Sequence, residues 1–137
     1  MSRGVGALLQ TLTIAGAVTA QVTTPVVLDK VPKALTIQAK FLYGAGGTTA
    51  KFWLQTSLDQ GATWIDIACF SFTTSAATKI SALSSAVALA AATVGTDGTL
   101  TGDTIVNGLL GDQYRIKYTT TGTYTGATSI DIRGLSA

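Results

Sequence analysis

The strongest constraint on this fold is a period of two. Leu35, Ile37, Ala39, Phe41 and Tyr43 alternate with Thr36, Gln38, Lys40 and Leu42. A strand sends successive side chains to opposite faces, so such a run builds a sheet with one face turned to an apolar core. From Ala50 to Ser57 the pattern returns, with Phe52 and Leu54 on one face and Lys51, Trp53 and Gln55 on the other. A third run spans Thr63 to Phe72. Near the C-terminus Tyr114, Ile116 and Tyr118 alternate with Arg115, Lys117 and Thr119, and Ile130 and Ile132 with Asp131 and Arg133. Glycine-rich clusters punctuate these runs at Gly44–Gly47, Gly95–Gly98, Gly108–Asp112 and Gly122–Gly126. Short alternating strands between such turns predict an all-β chain, a jelly-roll or related antiparallel β-sandwich.

Composition supports that reading. The acidic residues are all aspartates, so the strong helix former Glu is missing, while Thr, Val, Ile and aromatics fit a pleated surface. The 137 residues suit one domain with one core. One stretch is ambiguous: Ile80, Leu83, Val87 and Val94 stand at helix-compatible spacings, whereas Val87, Leu89 and Ala91 alternate as in a strand. Its serines and threonines favour extended structure across 76–92, with room for one helical turn.

The inventory of reactive groups excludes most chemistry. With no histidine, a Ser-His-Asp triad, a Cys-His dyad and a histidine metal site cannot be assembled. Cys69 is the sole cysteine, which forbids an intrachain disulfide and a cysteine zinc cluster; beside Ala68 and Phe70 it reads as a small buried hydrophobe. Paired aspartates are the remaining acid–base option. Asp97 and Asp103, in Gly95–Asp103, could suggest calcium, but the segment lacks an EF-hand's ligand array and reads as Asp-Gly turns. No phosphate-binding glycine loop is present. The chain therefore reads as a non-enzyme with no cofactor and no metal.

Nine basic residues give a net charge of +2 but form no run or stripe, so nucleic acid is not an expected partner. No apolar stretch reaches membrane-spanning length. The N-terminus imitates a secretory leader, yet Gln10, Thr11 and Thr13 break its apolar segment and alternate with Leu12 and Ile14 as a strand would. Residues 1–13 are expected to form an N-terminal arm, with Leu8, Leu9 and Leu12 as contacts for a neighbouring subunit.

One motif is sharp. Ser57-Leu58-Asp59-Gln60-Gly61-Ala62-Thr63-Trp64 fits S-x-D-x-G-x-T-W. The aspartate can accept hydrogen bonds from amides further along a hairpin turn, and glycine supplies a positive φ. The predicted structural turn therefore comprises Ser57, Asp59, Gly61, Thr63 and Trp64, and it implies antiparallel strands on either side. The stretch resembles the Asp-box, which in sialidases recurs once per propeller blade, away from the active site, and which also occurs singly in other β-domains. A single copy in 137 residues excludes a propeller. Trp53, on the polar face of its strand, is either a second layer of core or an exposed interface anchor.

Only 12% of residues are charged, about half the share usual for a soluble domain, and the mean hydropathy is +0.42. Such a surface points to assembly. The run from Leu35 to Phe72 is similar to small structural proteins of tailed bacteriophages, and the composition and lack of chemistry fit phage cement (decoration) proteins. That resemblance implies a virion protein on the capsid exterior, bridging major capsid subunits and pairing with copies of itself. A tail or fibre component is a second reading. A carbohydrate-binding sandwich is a third, and it would need Trp53, Tyr43, Tyr114, Tyr118 and Tyr124 to line one open face.

Overall fold

The computed structural model describes residues 10–89 and 91–136. Its strands are β1 (Gln10–Thr13), β2 (Gly16–Val22), β3 (Val26–Val27), β4 (Ala34–Leu42), β5 (Ala45–Gly46), β6 (Thr49–Ser57), β7 (Ile65–Phe72), β8 (Ala77–Ser84), β9 (Gln113–Thr125) and β10 (Ser129–Ser136). Among the described residues there is no helix.

The strands form two sheets, β1-β10-β4-β8 (sheet A) and β2-β9-β6-β7 (sheet B), with β3 and β5 added beside β9. Every pairing is antiparallel: β1 with β10, β2 with β9, β4 with β8, and β6 with β7, each pair nested inside the one before. β10–β4 and β9–β6 pairings then join the nested pairs into sheets. This is one long hairpin rolled upon itself, the eight-stranded jelly roll.

Local sequence explains the layers. β4 follows the expected alternation, with Leu35, Ile37, Ala39 and Phe41 buried and Thr36, Gln38, Lys40 and Leu42 exposed. Facing it from sheet B are Phe52, Leu54, Phe70, Phe72, Ile116 and Tyr124. The Phe41 ring stacks on Phe72 at 4.9 Å and meets Tyr124 edge-on at 5.9 Å, geometry that aromatic quadrupoles favour. The buried phenols find acceptors: Tyr124 Oη donates to the Thr73 carbonyl and Tyr114 Oη to the Gly111 carbonyl.

The ambiguous stretch resolves as strand up to Ser84, because Ala77–Ser84 pairs along its full length with β4. Ile80 and Leu83 lie on opposite faces of β8, one exposed and one in the core. After it Ser85 and Ala86 form a turn, and no helix follows among the described residues. Val87 and Leu89, expected to alternate in a strand, stand exposed in the irregular segment that follows.

That segment, residues 85–89 and 91–112, gives the sandwich a third layer. It crosses the outer face of sheet B and then runs beside β7. There Cys69 N–H donates to the Thr104 carbonyl, Asp103 N–H to the Cys69 carbonyl, and Val106 N–H to the Ile67 carbonyl. Strict alternation therefore fails in β6, where every residue from Phe52 to Ser57 is buried.

Candidate functional site

The densest polar constellation lies beneath this third layer and centres on Asp66. A register shift opposite Leu54 and Gln55 places Ile67 and Ala68 together against the core. One extra residue in a strand reverses the facing of everything beyond it. The carboxylate of Asp66, which simple alternation would send into the core, thus emerges on the outer face beside Gln55.

There Asp66 is fully buried. Its Oδ2 accepts hydrogen bonds from Thr96 Oγ1 (2.8 Å) and from the backbone N–H groups of Gly98 (2.8 Å), Thr99 (3.0 Å) and Leu100 (3.1 Å). Oδ1 accepts from Gln55 Nε2 at 2.8 Å and from Gly98 N–H at 2.9 Å. Three successive amides curled around an anion form a nest. Gly98 allows it: its φ is +83°, and a Cβ there would lie 3.0 Å from the Lys117 side chain.

The network extends outward. Gln55 Nε2 also donates to Asp97 Oδ1 at 2.6 Å, and Gln55 Oε1 accepts from Arg115 Nε at 2.7 Å. Lys117 Nζ donates to Asp97 Oδ1 at 2.9 Å, with an Arg115 nitrogen 3.8 Å away. Burial alone would raise the Asp97 pKa, but hydrogen bonds from Lys117 and Gln55 and the two cations hold it below the ordinary carboxylate value. Trp53 lies in the same layer, 6% exposed, its indole N–H donating to the Leu100 carbonyl at 2.9 Å. Of the two expectations for Trp53, the second core layer is the one found, and the segment above it leaves no exposed anchor.

The turn residues also act together. Ser57 Oγ accepts from Gly61 N–H at 2.8 Å and donates to Asp59 Oδ1 at 2.9 Å; the same carboxylate oxygen accepts from Thr63 N–H at 2.7 Å. The Thr63 hydrogen bonds are the main reason the Asp59 pKa falls below its usual value. Gln60 and Gly61 have φ of +60° and +91°. The indole of Trp64 lies against this turn, where a Cβ on Gly61 would sit 3.7 Å from it, and the Arg115 guanidinium lies 4.5 Å from the Trp64 ring. Arg115 therefore joins the turn to the Asp66 network. Sequence reading found the turn but missed the network, whose only visible sign was Asp66 and Gln55 in two runs that pair.

The other candidates are dispersed. Asp97 and Asp103 do not converge: Asp103 accepts from Lys79 Nζ at 2.8 Å on another edge of the domain. Among the described residues no three metal-ligating side chains meet. Cys69 is buried, and desolvation pushes its thiol up to about 11, which keeps it protonated and unreactive. The aromatics do not line an open face. Trp53, Tyr114 and Tyr124 are buried, and Tyr43 and Tyr118 pack partly against the core. Leu12, expected to contact a neighbour, leans on the domain's own core, and Gln10–Thr13 pair with β10. Leu8 and Leu9, with the rest of the expected arm before Gln10, lie outside the described residues. No helix among the described residues is long and apolar enough to cross a membrane.

Chemically, this arrangement pins the third layer to sheet B: both oxygens of the buried Asp66 carboxylate are taken by donors from its own chain, and Asp97 and Asp59 each accept through Oδ1. No protein-family model matches the chain, and no curated protein is similar to it.

Proposed function

We propose that this domain is a structural protein of a phage virion, a cement protein that sits on the capsid exterior and bridges major capsid subunits. One observation carries this reading. The domain uses its polar groups internally on sheet B, yet leaves the outer face of sheet A uncovered among the described residues. That face is broad and mixed, presenting Thr36, Gln38, Lys40, Ile80, Asp131, Arg133 and Leu135, with Asp131 paired to Arg133 at 3.0 Å. A rigid sandwich with one bare, mixed face and no reactive centre suits attachment. Many copies on a shell would sum modest contacts through multivalency. The jelly-roll frame is compatible with this role but does not specify it.

The test is the ratio of this chain to the major shell protein in purified particles. Copies on the order of hundreds per particle fit a cement protein arrayed with the shell's symmetry. About a dozen or fewer would replace it with a neck, tail or fibre position. The arm's part in docking is checked by deleting Ser2–Leu9 and leaving Gln10–Thr13, which belong to sheet A, in place. Unchanged shell occupancy would remove the arm from the mechanism.

A further inference from the structure

The sandwich has strand edges of unequal quality. A free edge presents unpaired N–H and C=O groups that template pairing with another strand, and natural sheets blunt it. At the far edge of sheet B, β7 is capped. Its outward groups at Ile67 and Cys69 bond the backbone of Asp103–Val106, Ser71 N–H donates to Asp103 Oδ1 at 3.1 Å, and Lys79 Nζ donates to the Ser71 carbonyl. At the opposite edge, β2 is irregular, with register shifts between Gly16, Val18 and Gln21 and a φ of +50° at Ala20. Among the described residues β8 is regular and is capped only at its C-terminal end, by the Asn107 side chain.

The direction of β8's free groups follows from its ends. Ser85 N–H donates to the Lys33 carbonyl, in line with the β4 ladder, whereas Ser84 N–H points away and donates to Asn107 Oδ1 at 2.7 Å. Antiparallel pairing alternates, so the backbone groups of Thr78, Ile80 and Ala82 also point away from β4. They have no partner among the described residues. The Ile80 side chain is 77% exposed. Beneath it lies an open groove between β8 and Asp103–Ile105, where Ser81 Oγ is buried without a hydrogen-bond partner.

From this geometry we infer that β8 is the site of self-association: two copies join edge to edge, antiparallel, about a twofold axis through Ile80. The sequence of the edge fits its own copy. With Ile80 opposite Ile80, Thr78 meets Ala82, and every outward side chain in the contact is uncharged. The one charge within the strand, Lys79, turns inward and is held by Asp103 at 2.8 Å. The nearest outward charge, Lys40, is paired with Thr78 on the adjoining strand. Across the axis the two Lys40 residues would stand about 20 Å apart, from three strand spacings and four residue rises, beyond the screening length. An isologous contact of this kind closes after two copies and fuses two four-stranded sheets into one of eight strands.

This inference deepens the cement reading by naming its self-contact, but it is tested on the free protein, so the two fail separately. The full chain is measured by sedimentation equilibrium beside Ile80→Lys and Ile80→Cys. The wild type is expected to be a dimer, and Ile80→Lys to weaken dimerisation at least tenfold while its melting temperature extrapolated to low concentration stays unchanged. Ile80→Cys should form an intermolecular disulfide under mild oxidation, since facing Cα atoms in such a pair lie about 5.5 Å apart. A wild-type monomer, or a dimer indifferent to Ile80→Lys and not crosslinked by Ile80→Cys, overturns the proposal. A monomer that instead binds an added strand-forming peptide at β8 assigns the edge to a different partner and overturns it equally.

Discussion

The two outer faces of this sandwich receive opposite treatment from one chain. Outside sheet B, residues 91–112 return to lay down a third layer, and Trp53, Gln55 and Asp66 become as buried as core residues. Outside sheet A no described segment returns, and β4 keeps a strict alternation of buried and exposed residues. The contrast separates two uses of polar side chains. Beneath the third layer on sheet B they converge on Asp66 and hold the chain to itself; on sheet A they face solvent, where Asp131 is bonded by Thr11 and Arg133 while Thr36, Gln38 and Lys40 stand open to other molecules.

The largest expected effect is at the centre of the covered face. Asp66→Ala leaves the amides of Gly98, Thr99 and Leu100 and the Gln55 side chain without their acceptor. Removing one member of a buried charged network costs about 3–5 kcal/mol. Asp66→Asn should recover little, because its amide turns a donor toward donors. Chemical denaturation gives the loss, and hydrogen exchange gives its location. The amides of 98–100 should exchange freely while those of Ile37 and Ala39 remain protected. Equal deprotection of both sheets would show that the third layer is inseparable from the sandwich.

A smaller effect belongs to the hairpin turn. Ser57→Ala removes an acceptor from Gly61 N–H and a donor to Asp59. At roughly 0.5–1.5 kcal/mol per hydrogen bond, the expected destabilisation is about 1–2 kcal/mol, read as a lower denaturation midpoint at unchanged slope. Exchange at 98–100 should not respond, since Arg115 still links Gln55 to Asp97. A response there would show that the turn and the network form one cooperative unit.

The contrast between the faces also marks what the sequence could disclose. The two central strands of sheet A were legible: they alternate without bulges, and Leu35–Phe41 and Ile130–Ile132 announce their inner faces directly. The Ser57–Trp64 turn was legible because its residues interact within eight positions. The Asp66 network was not. It depends on a register shift, which leaves no pattern in a single strand, and on amides 30 or more residues away that any loop sequence could supply. Trp53 stayed ambiguous for the same reason, because nothing local shows that a remote segment covers it. The Ala-rich stretch misled after Ser84, where apolar Val87 and Leu89 imitate a strand but have no sheet to join.

Acidification should affect stability less than either substitution. The folded pKa values of Asp97 and Asp103 lie below the ordinary carboxylate value: burial works against this, and hydrogen bonds and charge from Lys117, Gln55 and Lys79 prevail. A carboxylate with a depressed folded pKa contributes stability that is full above its unfolded pKa, near 4, and is lost as pH falls through the folded value. Melting temperature should therefore decline between about pH 5 and 2. Both side chains are half exposed, so solvent screening keeps each contribution below about 1 kcal/mol. Asp97→Asn should flatten part of that acid decline and leave the rest to the other depressed carboxylates, Asp103 and Asp59.

The smallest effect is expected on the bare face, where it decides most about function. Thr36→Ala, Gln38→Ala and Lys40→Ala remove exposed groups that make no side-chain hydrogen bond or ion pair among the described residues, so each should change stability by less than about 0.5 kcal/mol. If sheet A is the attachment face, the same three substitutions combined should lower occupancy on particles although the fold is untouched. A set on the exposed threonines of β9, Thr121→Ala and Thr123→Ala, should not, although it also removes the hydrogen bonds of Thr121 Oγ1 with Thr49. Loss of occupancy from the β9 set alone would move attachment to the open end of sheet B, and the contrast between a self-directed and a partner-directed face would then have to be redrawn within a single sheet.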